Sequence, residues 1–204
     1  MITNIRRMAA EALEEWEDGY MYAETLVDNS ARAYEISRED RNLLNALIIG
    51  VVRNQRLLDH WIGQLRDGEI DIQVRCHLRV GLFQLLIMGL PDHAAVNETV
   101  NSARKGIRGL INALLRRTIR ERDEMLAAVE TLAPAIRYSH PDWLVDRWNA
   151  QHGEENTLKL LQWNQEPSLT TFRLNSLKPE SADIVGPTER VKELEGHDGF
   201  FVSN

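Results

Sequence analysis

The sequence predicts a mainly α-helical protein: an all-α bundle followed by a small, incomplete α+β segment. Three observations carry this. Apolar residues recur at three- and four-residue spacing through most of the first 133 positions, as one buried helix face requires. The pattern changes at Pro134. Near the C-terminus two short stretches alternate with period two, the spacing of strands.

The elements follow in order. Ile5, Met8/Ala9, Ala12/Leu13, Trp16, Tyr20, Ala23 and Val27 predict one long amphipathic helix, weakened at Gly19. Ser37 with Asp40 reads as a capping-box variant that opens the next helix. That helix buries Leu43, Leu44, Leu47, Ile48, Val51 and Val52. Leu57, Leu58, Trp61, Ile62 and Leu65 continue it after a bend near Arg53–Asn54, and Asp67-Gly68 ends it. Ile72, Cys76, Val80, Phe83, Leu86/Ile87 and Leu90 form a stripe that Leu82 and Leu85 widen, which predicts a central helix. Pro91-Asp92 restarts the chain. Val96, Val100 and Ala103 mark one helix; Ile107, Ile111, Leu114, Leu115 and Ile119 mark another; a short one is expected over 123–132.

Beyond Pro134, Ser139-His140-Pro141-Asp142-Trp143 reads as a helix start with Pro141 in the first turn. Trp143, Leu144 and Trp148 are expected to face inward. Gly153 breaks the run, and Leu158, Leu161 and Trp163 belong to a second helix. Thr170, Phe172 and Leu174 alternate with Leu169, Thr171 and Arg173 as a strand. Residues 181–194 stay ambiguous because Gly186-Pro187 interrupts them, and Phe200-Phe201-Val202 begins another strand. Residues after Pro134 hold too few apolar side chains for a large core. They are expected to be less ordered than the bundle, to lean on it, or to pair through a Phe200–Val202 edge.

Composition narrows the function classes. The chain has 204 residues, 43% hydrophobic and 27% charged, the balance of a globular protein. Its longest apolar stretches, Leu43–Val52 and Val80–Leu90, are about half of a membrane span. Acids follow Arg6 and Arg7 where a signal peptide needs an apolar core. One cysteine permits no internal disulfide and no multi-cysteine metal site. A cytoplasmic setting fits. No nucleotide-phosphate loop is present. Cys76 sits on an apolar stripe as a small buried thiol, and His93 is expected to cap or pack rather than catalyse. The sequence therefore offers no catalytic residue and no metal ligand set.

The net charge of −7 conceals an asymmetry. Between Asn101 and Arg122 lie Arg104, Lys105, Arg108, Arg116, Arg117, Arg120 and Arg122, with Glu121 the one acid, a segment of +6. On a helix Arg116, Arg120 and, less closely, Arg117 share neighbouring faces, while Leu114, Leu115 and Ile119 point to the core. Arg104, Lys105 and Arg108 cluster at the preceding junction beside Gly106 and Gly109. Such glycines let a phosphate backbone approach, and arginine suits forked phosphate contacts and stacking on unpaired bases. The competing reading is a solvated face balanced by acids on neighbouring helices.

Several ordered motifs carry a resemblance. They are Asp40-Arg41-x-Leu-Leu, Gly50-Val-Val-Arg53, Leu78-Arg-Val-Gly81-Leu-Phe-Gln-Leu-Leu86, His93-Ala-Ala-Val-Asn-Glu98 and Gly109-Leu-Ile-Asn-Ala-Leu-Leu-Arg116. Together they resemble the NusB-like helical domain, in the version that begins the RsmB/Sun-type ribosomal-RNA cytosine-C5 methyltransferases. Ser139-His-Pro-Asp-Trp-Leu-Val145 and Phe172-Arg-Leu-Asn175 extend the match into that family's next segment. The resemblance implies two parts: an RNA-binding bundle over residues 1–133, and a helical linker with the start of a methyltransferase subdomain over 134–204. It implies an RNA-binding, substrate-positioning role without catalysis. Small-subunit rRNA is then the partner, and a ribosomal protein or the family's catalytic domain a further contact. S-adenosylmethionine is expected for a full-length parent and not for these residues. Arg104, Lys105, Arg108, Arg116, Arg117 and Arg120 are the RNA-facing residues it implies, with Arg173 and Asn175 in the strand motif. Asn112 and His93 are expected to make internal hydrogen bonds. A NusB-type antitermination module without enzyme activity, and a purely structural helical interaction domain, are the alternatives.

Overall fold

A computed structural model describes residues 4–19, 21–34, 36–166, 170–173, 191–193 and 200–203. Tyr20, Leu169, Leu174, Asn175 and Gly186-Pro187, all weighed above, lie outside them. Contacts divide the chain into two compact units, residues 1–161 and 162–204.

The expected first helix is two helices. Helix α1 (Ile5–Glu17) starts at Asn4, whose side chain accepts from the Arg6 and Arg7 amides. It ends at Asp18, and Gly19 takes φ +77°, so the chain turns before α2 (Ala23–Tyr34). Only glycine enters that left-handed region without a steric cost. The Ser37 hydroxyl accepts from the Asp40 amide at 3.1 Å and opens α3 (Arg38–Arg53). Asn54 separates α3 from α4 (Gln55–Leu65), where the bend was expected.

Helix α5 (Ile72–Leu82) is the centre of the bundle and touches α1, α3, α4, α6 (Asp92–Ser102) and α7 (Lys105–Ala128). Every residue from Val74 to Leu85 except Arg75 is buried. The helix widens into a π-turn over Phe83–Ile87. That wider turn re-phases the apolar stripe, so Ile87 is 40% exposed rather than inside. Two elements expected separately, 107–119 and the first part of 123–132, form the single helix α7, because nothing near Arg122 or Asp123 breaks it; a 3₁₀ turn over Val129–Thr131 follows.

Where α3 meets the π-turn, Gly50 faces the Phe83 ring. A methyl group on Gly50 would overlap three ring atoms, Cε2 lying at 2.7 Å. Gly50→Ala is therefore expected to destabilise the bundle by about 2 kcal/mol, overpacking outweighing a helix-propensity gain of up to ~1 kcal/mol. Chemical denaturation would check it; an unchanged or raised midpoint would show that Phe83 can move aside.

The same compact unit extends through α8 (Pro134–Arg137), α9 (Asp142–His152) and the start of α10 (Glu154–Gln165). Ala135, Tyr138, Val145 and Leu161 make a small second core. Pro141 precedes α9 rather than entering it. Val145 is the buried residue of α9, while Trp143, expected inside, is 64% exposed.

Residues 138–142 grip α4. Arg56 donates to the His140 carbonyl, and its guanidinium pairs with Asp142 at 2.7 Å. That hydrogen bond holds the Asp142 carboxyl below its ordinary range. The Leu57 amide donates to Ser139 Oγ at 3.1 Å. Leu57 is in the first turn of α4, where amides lack helical partners, and Asn54 makes no side-chain cap there. Ser139, at φ +51°, thus caps α4 from 82 residues away. Ser139→Ala is expected to cost about 1 kcal/mol. The measurement is thermal unfolding, and a loss below a few tenths would show that water replaces the hydroxyl.

The second unit holds a three-stranded antiparallel sheet in the order β1 (Thr170–Arg173), β3 (Phe200–Ser203), β2 (Val191–Glu193). Phe172 aligns with Phe201, and Lys192 with Val202. The stretch expected to offer a free edge is the central strand, because the ambiguous segment supplies a second partner.

Candidate nucleic-acid interface

Helix α7 carries the basic residues. An α-helix turns 100° per residue, so Lys105, Asn112, Arg116 and Arg120 fall within an arc of about 80°. They run for about 22 Å along it at 1.5 Å per residue. Lys105, Arg116 and Arg120 are exposed and Asn112 half-buried. The opposite face, with Ile111, Leu114, Leu115 and Thr118, is buried in the bundle. Gly109 lies on the same stripe with open space where a side chain would stand.

The partners of each cation sort them further. Among the described residues Lys105 and Arg120 make no side-chain hydrogen bond or ion pair. Arg116 Nε donates to Asn112 Oδ1 at 3.0 Å, a neutral partner that orients the guanidinium and leaves its charge uncancelled. Asn112 therefore bonds within the basic face rather than inside the core. Arg108 donates to the Ala103 and Asn101 carbonyls, both at 2.8 Å. These are carbonyls at the end of α6, where helical acceptors lack partners. Arg108 keeps its charge but is committed to holding the α6–α7 junction.

Two cations are neutralised locally. Arg117 Nε donates to Glu121 at 2.8 Å and Nη1 to the Leu65 carbonyl at 2.7 Å. Arg122 pairs with Asp92 on α6. Arg104 is exposed at the start of α7 and feels Glu14 of α1. The solvated, acid-balanced reading thus describes Arg117 and Arg122, and in part Arg104; it does not describe Lys105, Arg116 or Arg120. Arg173 ends β1 opposite Phe200.

The remaining candidate groups do not form a catalytic site. Burial pushes the Cys76 thiol up to about 12, the opposite of what a thiolate nucleophile needs. His93 is exposed on the first turn of α6 and, among the described residues, makes no side-chain hydrogen bond where an internal one was expected. It lies about 140° around the helix from Glu98. Among the described residues no group of three or more His, Cys, Asp and Glu side chains is placed to hold a metal ion. None of the described helices is long and apolar enough to cross a membrane.

One polar cluster went unnoticed in the sequence. Arg79 of α5 is buried, with a side chain 1% exposed. Its guanidinium meets Asp59 of α4 through two 2.8 Å hydrogen bonds and Glu17 of α1 through a third. Nearby, Gln84 accepts from Arg6 Nε at 3.1 Å and donates to Thr99 Oγ1 and the Val80 carbonyl, both at 3.0 Å. A second polar site, around His77, lies beside Arg104.

Residues 3–120 match the sequence profile of the NusB family. Residues 140–186 match a ferredoxin-like domain described as Methyltr_RsmF/B-like. The chain is 30% identical over 192 residues to the probable ribosomal RNA small subunit methyltransferase B of Bacillus subtilis, covering 90% of this chain and 43% of that protein. It is 34% identical over 174 residues to the probable counterpart of Synechocystis, covering 80% of this chain and 39% of that protein. The ribosomal RNA small subunit methyltransferase B of Escherichia coli is 36% identical over 174 residues, covering 81% and 39%. The chain therefore spans less than half the length of the curated relatives it matches.

Proposed function

Because the chain belongs to the NusB family, we propose that it is an RNA-binding region that positions ribosomal RNA for a methyltransferase of the small-subunit type. The observation that carries this is the stripe of Lys105, Asn112, Arg116 and Arg120, whose cations have no acidic partner among the described residues of an acidic chain. Phosphate contacts of this kind supply affinity and register without reading sequence. The similarity of residues 140–186 to a Methyltr_RsmF/B-like domain supports the methyltransferase setting over a free-standing antitermination module.

In this reading Arg104, Lys105, Arg108, Arg116, Arg117 and Arg120 face RNA unequally. Lys105, Arg116 and Arg120 lead, and Arg117 contributes least because Glu121 already pairs with it. Arg173, which ends β1, and Asn175 of the same sequence motif form a second, smaller contact. The bundle over 1–133 is the binding part, and 134–204 connects it to a catalytic domain such as the relatives' greater length accommodates. S-adenosylmethionine supplies the methyl group in such enzymes. The residues described here do not suit that chemistry, since the lone thiol is buried and protonated, and no step is assigned to them. A cytoplasmic location follows from a ribosomal-RNA substrate.

Filter binding of the chain to small-subunit rRNA across a series of salt concentrations tests the reading. A log–log slope of about −3 is expected, for roughly four phosphates at about 0.7 each. Binding that ignores salt, or no retention of RNA, would overturn it.

A further inference from the structure

We infer that Asn112 is a positioning residue that makes Arg116 a two-pronged clamp for one phosphodiester of the bound RNA. The inference rests on the RNA-binding reading above and deepens it, since the charge of Arg116 alone would attract RNA with no part for Asn112.

Helical side chains lean toward the N-terminus, so Arg116 folds back over the preceding turn of α7, where Asn112 stands about 6 Å along the axis. There Arg116 Nε donates to Asn112 Oδ1 at 3.0 Å. A guanidinium sets its N–H donors in one rigid plane. With Nε held from one side, that plane is fixed and the edge formed by Nη1 and Nη2 stays open. Among the described residues neither Nη atom has a partner, and Arg116 is exposed. Two parallel donors on one edge match two oxygens of one phosphate.

Neighbouring cations provide the contrast. Arg117 Nε is held over the same one-turn spacing by Glu121, at 2.8 Å. A carboxylate orients a guanidinium as well as an amide does, but it cancels the charge that a phosphate needs. Lys105 and Arg120 stand at the other extreme: among the described residues nothing cancels their charge and nothing orients them. Arg116 is the cation of the stripe that is both oriented and uncancelled. A long side chain ordered in advance loses less freedom when it binds.

Filter binding of the full chain to small-subunit rRNA, over a series of salt concentrations, tests the clamp. Asn112→Ala is expected to weaken binding about fivefold, the cost of ordering one long side chain, and to leave the salt slope unchanged because the charge remains. Asn112→Asp should weaken it about tenfold and flatten the slope by about 0.7, because an acid one turn before Arg116 cancels its charge as Glu121 cancels that of Arg117. Arg116→Lys keeps the charge and loses the fork. It should cost about fivefold in the wild type and under about twofold in the Asn112→Ala background. Among the described residues the Asn112 side chain bonds only Arg116, and alanine favours a helix, so Asn112→Ala should melt at or above the wild-type temperature. Additive losses from Asn112→Ala and Arg116→Lys would overturn the clamp, because Asn112 would then act apart from Arg116. A loss of affinity matched by a fall in melting temperature would place the role of Asn112 in the fold and overturn it equally. Unchanged binding in both Asn112 variants, beside a salt-dependent wild type, would overturn the clamp and leave the RNA-binding reading intact. Absence of salt-dependent binding by the wild type would overturn both.

Discussion

Reversing two charges on the stripe, Arg116→Glu with Arg120→Glu, is expected to weaken RNA binding about hundredfold, at roughly tenfold per charged contact. The salt slope should flatten by about 1.4 as two phosphate contacts are lost. Both side chains are exposed, and neither is tied to an acid among the described residues. The bundle should therefore unfold at nearly the wild-type temperature, which separates lost binding from lost structure. Arg117→Glu is the informative contrast. Its charge is already matched by Glu121, so it should cost RNA affinity several-fold less. Its donor to the Leu65 carbonyl tethers α7 to the end of α4, so it should cost some stability instead. Filter binding and thermal melts on the same variants decide the matter. Equal effects of Arg117→Glu and the double reversal would mean that the bulk charge of the segment, not the stripe, attracts RNA.

The largest stability effect is expected at Asp59. Asp59→Ala should cost about 3 kcal/mol, because it leaves the buried Arg79 guanidinium with Glu17 alone. Burial opposes the Arg79 charge, and the hydrogen bonds and charge of Asp59, then of Glu17, overcome it. Alanine favours a helix more than aspartate does, so the measured loss understates the electrostatic part. Arg79→Met should cost less, although it deletes the residue at the centre. Asp59 and Glu17 are 39% and 26% exposed, and water can solvate them once the arginine is gone. Methionine fills much of the same space without a charge to satisfy. Urea unfolding of both variants gives the comparison. A greater loss in Arg79→Met would place the cluster's value in packing rather than in pairing.

The apolar spacing of Leu44, Leu47, Ile48 and Val51, and of Leu57, Leu58, Trp61 and Leu65, made α3 and α4 legible with the break at Asn54. Local chemistry does that unaided. The division of α1 from α2 was not legible, because Gly19 in a helical pattern signals only weakness until its positive φ is seen. Trp143 was misplaced for a related reason. Hydropathy ranks a tryptophan inside, but helix phase in α9 puts Val145 there. Arg79 and His77 sat in the run whose widened apolar stripe predicted a central helix, and nothing in that run indicates that Asp59 and Glu17 come from two other helices to meet the arginine.

For the interface, the sequence by itself determined that six arginines and one lysine crowd a single segment, and that a helix must hold them on restricted faces. Those follow from composition and a 3.6-residue period. The tertiary structure decided which cations remain available. Glu121 lies one turn along the same helix, whereas Asp92, the Asn101 and Ala103 carbonyls, Leu65 and Glu14 are brought by other elements. A charge's availability depends on what lies within a few ångströms of it in space, and chain spacing fixes that distance only within a single helix.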